Sequence, residues 1–569
     1  MKTPSHEAEK TGRILISGHA DGKILTCIEG LSFWGGVDPE SGTIIDVHHP
    51  NHGASVSGKI LMMPTSRGSC SGSGVLLELS MNGLAPAALV FCDDEEILTL
   101  GALVSDRIFG KPLPTISLPR AVYERLALCE TASISGTLLK ADGIGLELTP
   151  AVTGDLNLSE RDTWYLSGDA GPAAKIAMEI ICLMAAKEGT EELIDVTKGH
   201  IDGCILAHSA NLIFAEKLAE MGAKVSVPTT INAISVDREN WQSQNVPPDF
   251  GSRASRLADA YVTMGARPVF TCAPYLLEDA PECGEVIGWS ESNAVIFANS
   301  VLGARSPKHP DYLDLFIAMT GRAPASGVYT QKGRAPCTII ELTPPPSGHD
   351  DLLWPLIGWL AGRASPKAIP LLTGLEDVDP SQDDLKALCA AFGTTSGAPM
   401  LHIAGHTPEA HLDPAPDARR HDIGLPEFVE AWTELNRGKG KIDLVAIGSP
   451  HASLSEARRV ADLFGDRSCN SSTQMIITIG RDVLQAARNE GLVDRLQNAG
   501  VRLIPDLCWC SIIEPIFPPH TQGLMTNSGK YAHYAHGLSG RHARLGSLGD
   551  CVEAAVKGFA PDTPPPWLR

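Results

Sequence analysis

Nowhere in the 569-residue sequence do about 18 apolar residues run uninterrupted, the minimum for a helix that spans a bilayer. No membrane partner is expected. Positive charge is also scarce: 46 Lys and Arg stand against 67 Asp and Glu, a formal charge of −21. Binding to nucleic acid depends on neutralising phosphates with Lys and Arg, so a surface this acidic argues against nucleic acid as a partner. The stretch from Met1 to Lys10 is polar and lacks the apolar core of a signal peptide. The expected compartment is the cytoplasm, where thiols stay reduced. No Cys-x-x-Cys pair occurs, which removes the usual frame of a structural zinc site. The Gly-Lys-Ser/Thr ending of a phosphate-binding Walker loop and the G-x-S-x-G elbow of a hydrolase are missing from its one Gly/Ser-rich loop.

What is present reads as a large folded protein. Apolar residues make up 43% and charged residues 20%, a balance that supports buried cores. The length calls for more than one domain, and 55 Gly with 41 Pro imply many loops. Fourteen cysteines are either core thiols or metal ligands. Cys182, inside Ile180-Ile181-Cys182-Leu183-Met184, reads as core.

Two pieces are expected, joined near residues 130–160. The first begins with short strand-like runs, Arg13-Ile14-Leu15-Ile16 and Lys23-Ile24-Leu25. A strand at residues 60–63 leads into the Gly/Ser loop at residues 64–74, followed by a helix at residues 75–79. The second piece alternates helix and strand. One helix opens at Gly171-Pro172 and ends near Gly189; strands are expected at residues 193–196, 224–227, 268–271, 443–447, 475–479 and 501–504. Ser453 and Glu456 have the spacing of a capping box. Such alternation implies an α/β fold with mainly parallel sheets, in which ligands gather at the carboxyl ends of strands.

The segments expected after those strands carry the chemistry. They are Gly199-His200-Ile201-Asp202-Gly203, Pro228-Thr229-Thr230-Ile231-Asn232, Cys272-Ala273-Pro274-Tyr275, Gly448-Ser449-Pro450-His451 and Asp506-Leu507-Cys508-Trp509-Cys510. Three thiolates gathered from such distant loops would suit iron and sulfide, which prefer soft ligands; a buried structural role is the competing reading for each cysteine. In the loop Ser66-Arg67-Gly68-Ser69-Cys70-Ser71-Gly72-Ser73-Gly74, glycines let the backbone approach a ligand and amides at a helix start favour anions. Either a base at Ser71, its alkoxide stabilised by Arg67, or a simple anion-binding turn is compatible with that pattern.

Taken together, several of these stretches resemble the aconitase X family: residues 33–42 with His48-His49-Pro50, the loop at residues 67–74, Gly199–Gly203, Val227–Thr230, Thr271–Tyr275, Glu291–Ser300 and Thr526-Asn527-Ser528-Gly529-Lys530. The resemblance runs from about residue 12 to about residue 555. It implies a β-rich swivelling domain at residues 1–135, carrying the Gly/Ser loop, and a large multi-layer α/β portion at residues 136–569, with the active site between them. The fused, single-chain arrangement is similar to that of bacterial members that dehydrate cis-3-hydroxy-L-proline to 1-pyrroline-2-carboxylate through the 2-pyrroline enamine. Two-subunit archaeal relatives that dehydrate mevalonate 5-phosphate are the alternative, and a non-catalytic iron-sensing or RNA-binding protein is an alternative of another class. The resemblance further implies Ser71 as proton acceptor, with Ser69 and Ser73 as rivals, and Cys272, Cys508 and Cys510 as ligands of an iron–sulfur cluster. Because the aconitase Cys-x-x-Cys is absent, 2Fe-2S is favoured over 3Fe-4S or 4Fe-4S. Arg67 and Lys530 are candidates to hold the substrate carboxylate. His200, Asp202, Thr230, Asn293 and Asn299 are candidates to orient substrate or cluster. The partner is a small-molecule substrate and the chain is expected to be a monomer.

Overall fold

A computed structural model of the chain describes residues 12–151, 153–343 and 347–569, so the polar stretch Met1 to Lys10 lies outside the described residues. Among the described residues no helix is long and apolar enough to cross a membrane. The chain is a mixed α/β protein that divides into two compact units. One takes the chain as far as Val196 and adds Ala207–Ser226 and His309–Ser326. The other holds Thr197–Leu206, Val227–Lys308 and Gly327–Arg569.

The first unit is built on a nine-stranded mixed sheet in the order Ile144–Glu147, Leu138–Ala141, Thr131–Gly136, Gly18–Thr26, Ile60–Met62, Ala88–Phe91, Thr115–Ser117, Arg13–Ile16, Thr149–Pro150. Strand Gly18–Thr26 joins its two halves. Its first part pairs antiparallel with Thr131–Gly136, and Ile24, Leu25 and Thr26 run parallel to Ile60–Met62. Parallel neighbours need crossovers. Helices Gly72–Met81 and Ile97–Phe109 supply them on either side of Ala88–Phe91, a wholly buried apolar strand of the kind that central parallel positions require. A Cβ at Gly101 would lie 2.8 Å from the Ser73 carbonyl oxygen, so glycine there lets Ile97–Phe109 rest on the first turn of Gly72–Met81. Helix Pro172–Glu188, with proline in its first turn and Gly189 left-handed after its end, belongs to the same unit. So does Arg322, which bonds Asp162 and Asp195 at 2.8 Å each.

Among its described residues the second unit holds three sheets, all parallel. They run Thr229–Ile231, Lys198–Ile201, Ile287–Trp289; then His402–Ile403, Pro370–Thr373, Thr338–Leu342, Arg419–Ile423; then Val501–Pro505, Gln474–Ile479, Leu444–Ala452, Leu524–Thr526, Ala543–Leu545. The middle sheet packs on helices Leu353–Ala364 and Gln382–Thr395, and the five-stranded sheet has its own apolar core. Strand Leu444–Ala452 is buried at every residue. Ser453 and Glu456 do form a capping box, which starts helix Leu454–Phe464.

Four local expectations are corrected. His200 lies inside strand Lys198–Ile201 rather than in a loop after residues 193–196, because the chain leaves one sheet at Asp195 and enters another at Lys198. Residues 224–227 form no strand: the Ser226 amide donates to the Ala318 carbonyl at 2.8 Å, and pairing starts at Thr229. Residues 268–271 are not a strand either, since Phe270 has φ of 45° and the Val269 amide turns back to Arg267. The helix after the Gly/Ser loop begins at Gly72, three residues before position 75.

Candidate active site

Cys272, Cys508 and Cys510 come together in the second unit, in a small cluster that also contains Ala233. Cys272 and Cys508 are 1% and 4% exposed, and Cys510 is half-buried. Each thiol is presented by a distinct piece of backbone. Cys272 follows the turn at Phe270, and its sulfur accepts the His451 amide at 3.4 Å. Cys508 follows Asp506, whose carboxylate accepts from Arg481 Nε at 2.7 Å and from the Arg238 amide at 2.9 Å. Between Cys508 and Cys510, the Trp509 indole donates to the Ile447 carbonyl at 2.7 Å and its ring lies 5.2 Å from that of Tyr531, which anchors the Cys-x-Cys segment. A hydrogen bond with Cys272 pushes the Cys508 thiol up, one with Cys510 pulls it down, and burial adds to the rise. Its bond to Cys508 and burial likewise raise Cys510. Three soft sulfur donors crowded in a buried place are a donor set that fits an iron–sulfur cluster.

A carboxylate hub belongs to the same unit. Glu291, at the N-terminus of helix Ser292–Phe297, accepts from Lys530 Nζ at 2.9 Å, from Asn293 Nδ2 at 2.5 Å and from Asn232 Nδ2 at 3.2 Å. Burial works to raise the Glu291 carboxyl, but the Lys530 ammonium and the two amides outweigh it and hold the group at about 2. Lys530 is raised well above its usual value: burial opposes the charge, while Glu291 and then the three thiols favour it. Asn232 also donates to Asp202 and accepts its neighbour Ala233's amide at 2.7 Å, linking the hub to the thiol cluster. Tyr275 donates to Asn293 Oδ1 at 3.0 Å. His200 Nδ1 and Thr230 Oγ1 are 2.7 Å apart on adjacent parallel strands, and burial lowers His200 to about 4, so its ring is neutral at pH 7. Asn299 is used on the main chain. Its Nδ2 donates to the Ser306 and Pro399 carbonyls, and its Oδ1 accepts the Ser306 amide.

The Gly/Ser loop belongs to the first unit. Ser71 is the N-cap residue of helix Gly72–Met81, yet its hydroxyl caps nothing. Ser69 Oγ accepts the Ser71 amide at 3.3 Å. Ser73 is buried, with the Cys70 and Asp311 carbonyls as acceptors at 3.1 and 3.2 Å. Arg67, half-exposed, pairs with Glu29 at 3.2 Å and Asp46 at 3.0 Å. Glu95 accepts from Ser66 at 2.6 Å and from the Leu98 amide at 2.7 Å, which ties the start of the loop to helix Ile97–Phe109.

Glu291, Asn232, Tyr275 and His451 were not singled out from sequence. All four lie in stretches that stand out in the sequence, but nothing in a linear pattern shows a carboxylate collecting donors from residues 232, 293 and 530.

Residues 9–140 match the Aconitase X swivel domain, 155–332 the first domain, 336–433 the second and 442–557 the third. A Hypocrea jecorina protein named cis-3-hydroxy-L-proline dehydratase is 43% identical over 96% of this chain and 95% of its own length. The chain belongs to the aconitase X family. A Pseudomonas aeruginosa family member of the same name is 45% identical, over 98% of each chain. The crystal structure of Thermococcus kodakaraensis aconitase X in its holo-form is similar with a TM-score of 0.64 and 26% identity, covering 70% of this chain and all of that one.

Proposed function

We propose that this aconitase X family member is a hydro-lyase that removes water from cis-3-hydroxy-L-proline, giving the 2-pyrroline enamine and then 1-pyrroline-2-carboxylate. The observation that carries this reading is the similarity to proteins of that name along nearly the whole length of both chains. The proposed division places a small domain with the Gly/Ser loop in residues 1–135 and the large portion in residues 136–569. The chain acts as a cytoplasmic monomer on a small molecule.

Dehydration here needs a base for the weakly acidic C2 proton and help for a poor hydroxide leaving group. A cluster held by Cys272, Cys508 and Cys510, 2Fe-2S in this proposal, supplies Lewis acidity for the leaving hydroxyl when bound. The base is Ser71. Its hydroxyl is not consumed by capping, and its place before a ten-residue helix puts it where an alkoxide is favoured by the helix dipole. Ser69 positions it through the bond to its amide, while Ser73 is committed to carbonyls. Lys530 keeps ammonium donors beyond the one given to Glu291 and holds the substrate carboxylate. Arg67, paired with Glu29 and Asp46, is the other candidate for that role. Asp202, Asn293, and the neutral His200 with Thr230 orient the ring. Asn299 braces the main chain around Ser306.

The test is a comparison of substrates on anaerobically purified protein: cis-3-hydroxy-L-proline, its trans isomer, the 4-hydroxyprolines and mevalonate 5-phosphate. Turnover confined to the cis-3 compound is expected. Dehydration of mevalonate 5-phosphate in its place would overturn the assignment.

A further inference from the structure

The two segments that present Cys272 and Cys508 are built alike. Two residues before each cysteine stands a side-chain-bearing residue in left-handed backbone, Phe270 with φ of 45° and Asp506 with φ of 71°. Such residues seldom adopt that region, so each segment needs outside restraint to hold its bend. The residue between bend and cysteine is Thr271 in one case and Leu507 in the other. Both are held by the same side chain. His451 Nδ1 lies 3.1 Å from Thr271 Oγ1, and its Nε2 lies 2.7 Å from the Leu507 carbonyl oxygen.

The chemistry of the partners fixes the proton. A carbonyl only accepts, so Nε2 carries the hydrogen and donates to Leu507, and Nδ1 accepts from the Thr271 hydroxyl. Thr271 Oγ1 in turn accepts the Ala273 amide at 3.2 Å. A single directed chain of hydrogen bonds therefore runs from the Cys272 turn through a fully buried imidazole to the Cys508 turn. The main-chain amide of the same histidine donates to Cys272 Sγ at 3.4 Å. His451 is aimed this way by an irregularity in strand Leu444–Ala452, whose register with Gln474–Ile479 shifts between Ile447 and Ala452. Bulges of this kind redirect side chains next to functional sites.

We propose that His451 is a positioning residue for the cluster: its imidazole clasps the two thiol-presenting turns at equivalent points and sets the separation of Cys272 and Cys508. The inference rests on the proposed assignment of these cysteines as ligands. Groups that orient metal ligands typically change metal retention by about 10–100-fold when removed.

The experiment compares wild type, His451→Ala and His451→Gln, purified anaerobically, by iron and sulfide per chain, by the rate of iron release to a chelator, and by the EPR spectrum after reduction. Release is expected to be about 10-fold faster or more in His451→Ala, with altered g values in whatever cluster remains. His451→Gln, whose amide nitrogen can still donate to the Leu507 carbonyl, is expected to fall between the two. Release rate and spectrum unchanged in both variants would overturn the proposal. If His451→Ala does not fold, His451→Gln decides alone: faster release with a shifted spectrum supports the clasp, and wild-type behaviour refutes it. A wild-type chain that binds neither iron nor sulfide would instead overturn the ligand assignment on which the clasp rests.

Discussion

Replacing Lys530 with methionine strands a buried carboxylate, and the size of the penalty follows from the geometry. Glu291 is 15% exposed at its side chain, pairs with Lys530 at 2.9 Å, and titrates at about 2 where its usual value is 4.5. Removing one partner of a buried ion pair typically costs about 3–5 kcal/mol, because the charge left behind is uncompensated. The sign with pH is definite. A carboxyl lowered in the fold contributes fully above its unfolded value, and the contribution is lost as pH falls from about 4.5 towards 2. In Lys530→Met, burial raises the same carboxyl, so the penalty is largest at neutral pH and shrinks as the group is protonated. Urea unfolding of the metal-free chain at pH 7 and at mildly acidic pH measures both. A midpoint for Lys530→Met well below wild type at pH 7, a narrower gap in acid, and substantial recovery in Glu291→Gln/Lys530→Met are expected. A single variant as stable as wild type at pH 7, or a double variant no better than the single, would refute the reasoning.

Three further outcomes are expected. Cys272→Ser and Cys508→Ser should each lose most bound iron by metal analysis, whereas Cys182→Ser, changed at a core thiol of helix Pro172–Glu188, should retain it. Ser71→Ala should lower the dehydration rate by about 10²–10⁴-fold, the usual contribution of a positioned base, while iron content stays at the wild-type level. Gly448→Ala should destabilise the fold by about 2 kcal/mol or more, read as a lowered thermal midpoint. Its φ is 98°, and a Cβ there would fall 2.2 Å from the Thr478 carbonyl oxygen.

The parts of the fold legible in the sequence are those whose signals are local. Proline at 172 and glycine at 189 bracket a helix because they act on their own backbone, and Ser453 caps with Glu456 three residues away. Gln474–Ile479 was readable as an apolar run because it is a central parallel strand buried from Met475 to Ile479, and Val501–Pro505 keeps part of that pattern at the sheet edge, with Arg502 exposed. Leu193–Asp195 was legible as a strand, but the strand Lys198–Ile201 behind it was not, because nothing in Leu-Ile-Asp-Val-Thr-Lys-Gly-His-Ile tells that the chain leaves the pairing with Arg322–Pro324 to pair again with Thr229–Ile231. The site followed the same division. Cysteines and the Gly/Ser loop stand out by residue type, and the meeting of Cys272 with Cys508 was expected through family resemblance. The Glu291 hub and the His451 bonds were hidden, since the first depends on Asn232 and Lys530, 59 and 239 residues away, and the second on Leu507 and Thr271, 56 and 180 residues away.

The most direct test of the account is to supply anaerobically purified, iron-replete protein with cis-3-hydroxy-L-proline carrying deuterium at C2 and to follow the product by mass spectrometry. Formation of 1-pyrroline-2-carboxylate, one water lighter than the substrate and without the C2 deuterium, is the expected result. Unchanged substrate, or a dehydrated product that retains that deuterium at C2, would contradict it.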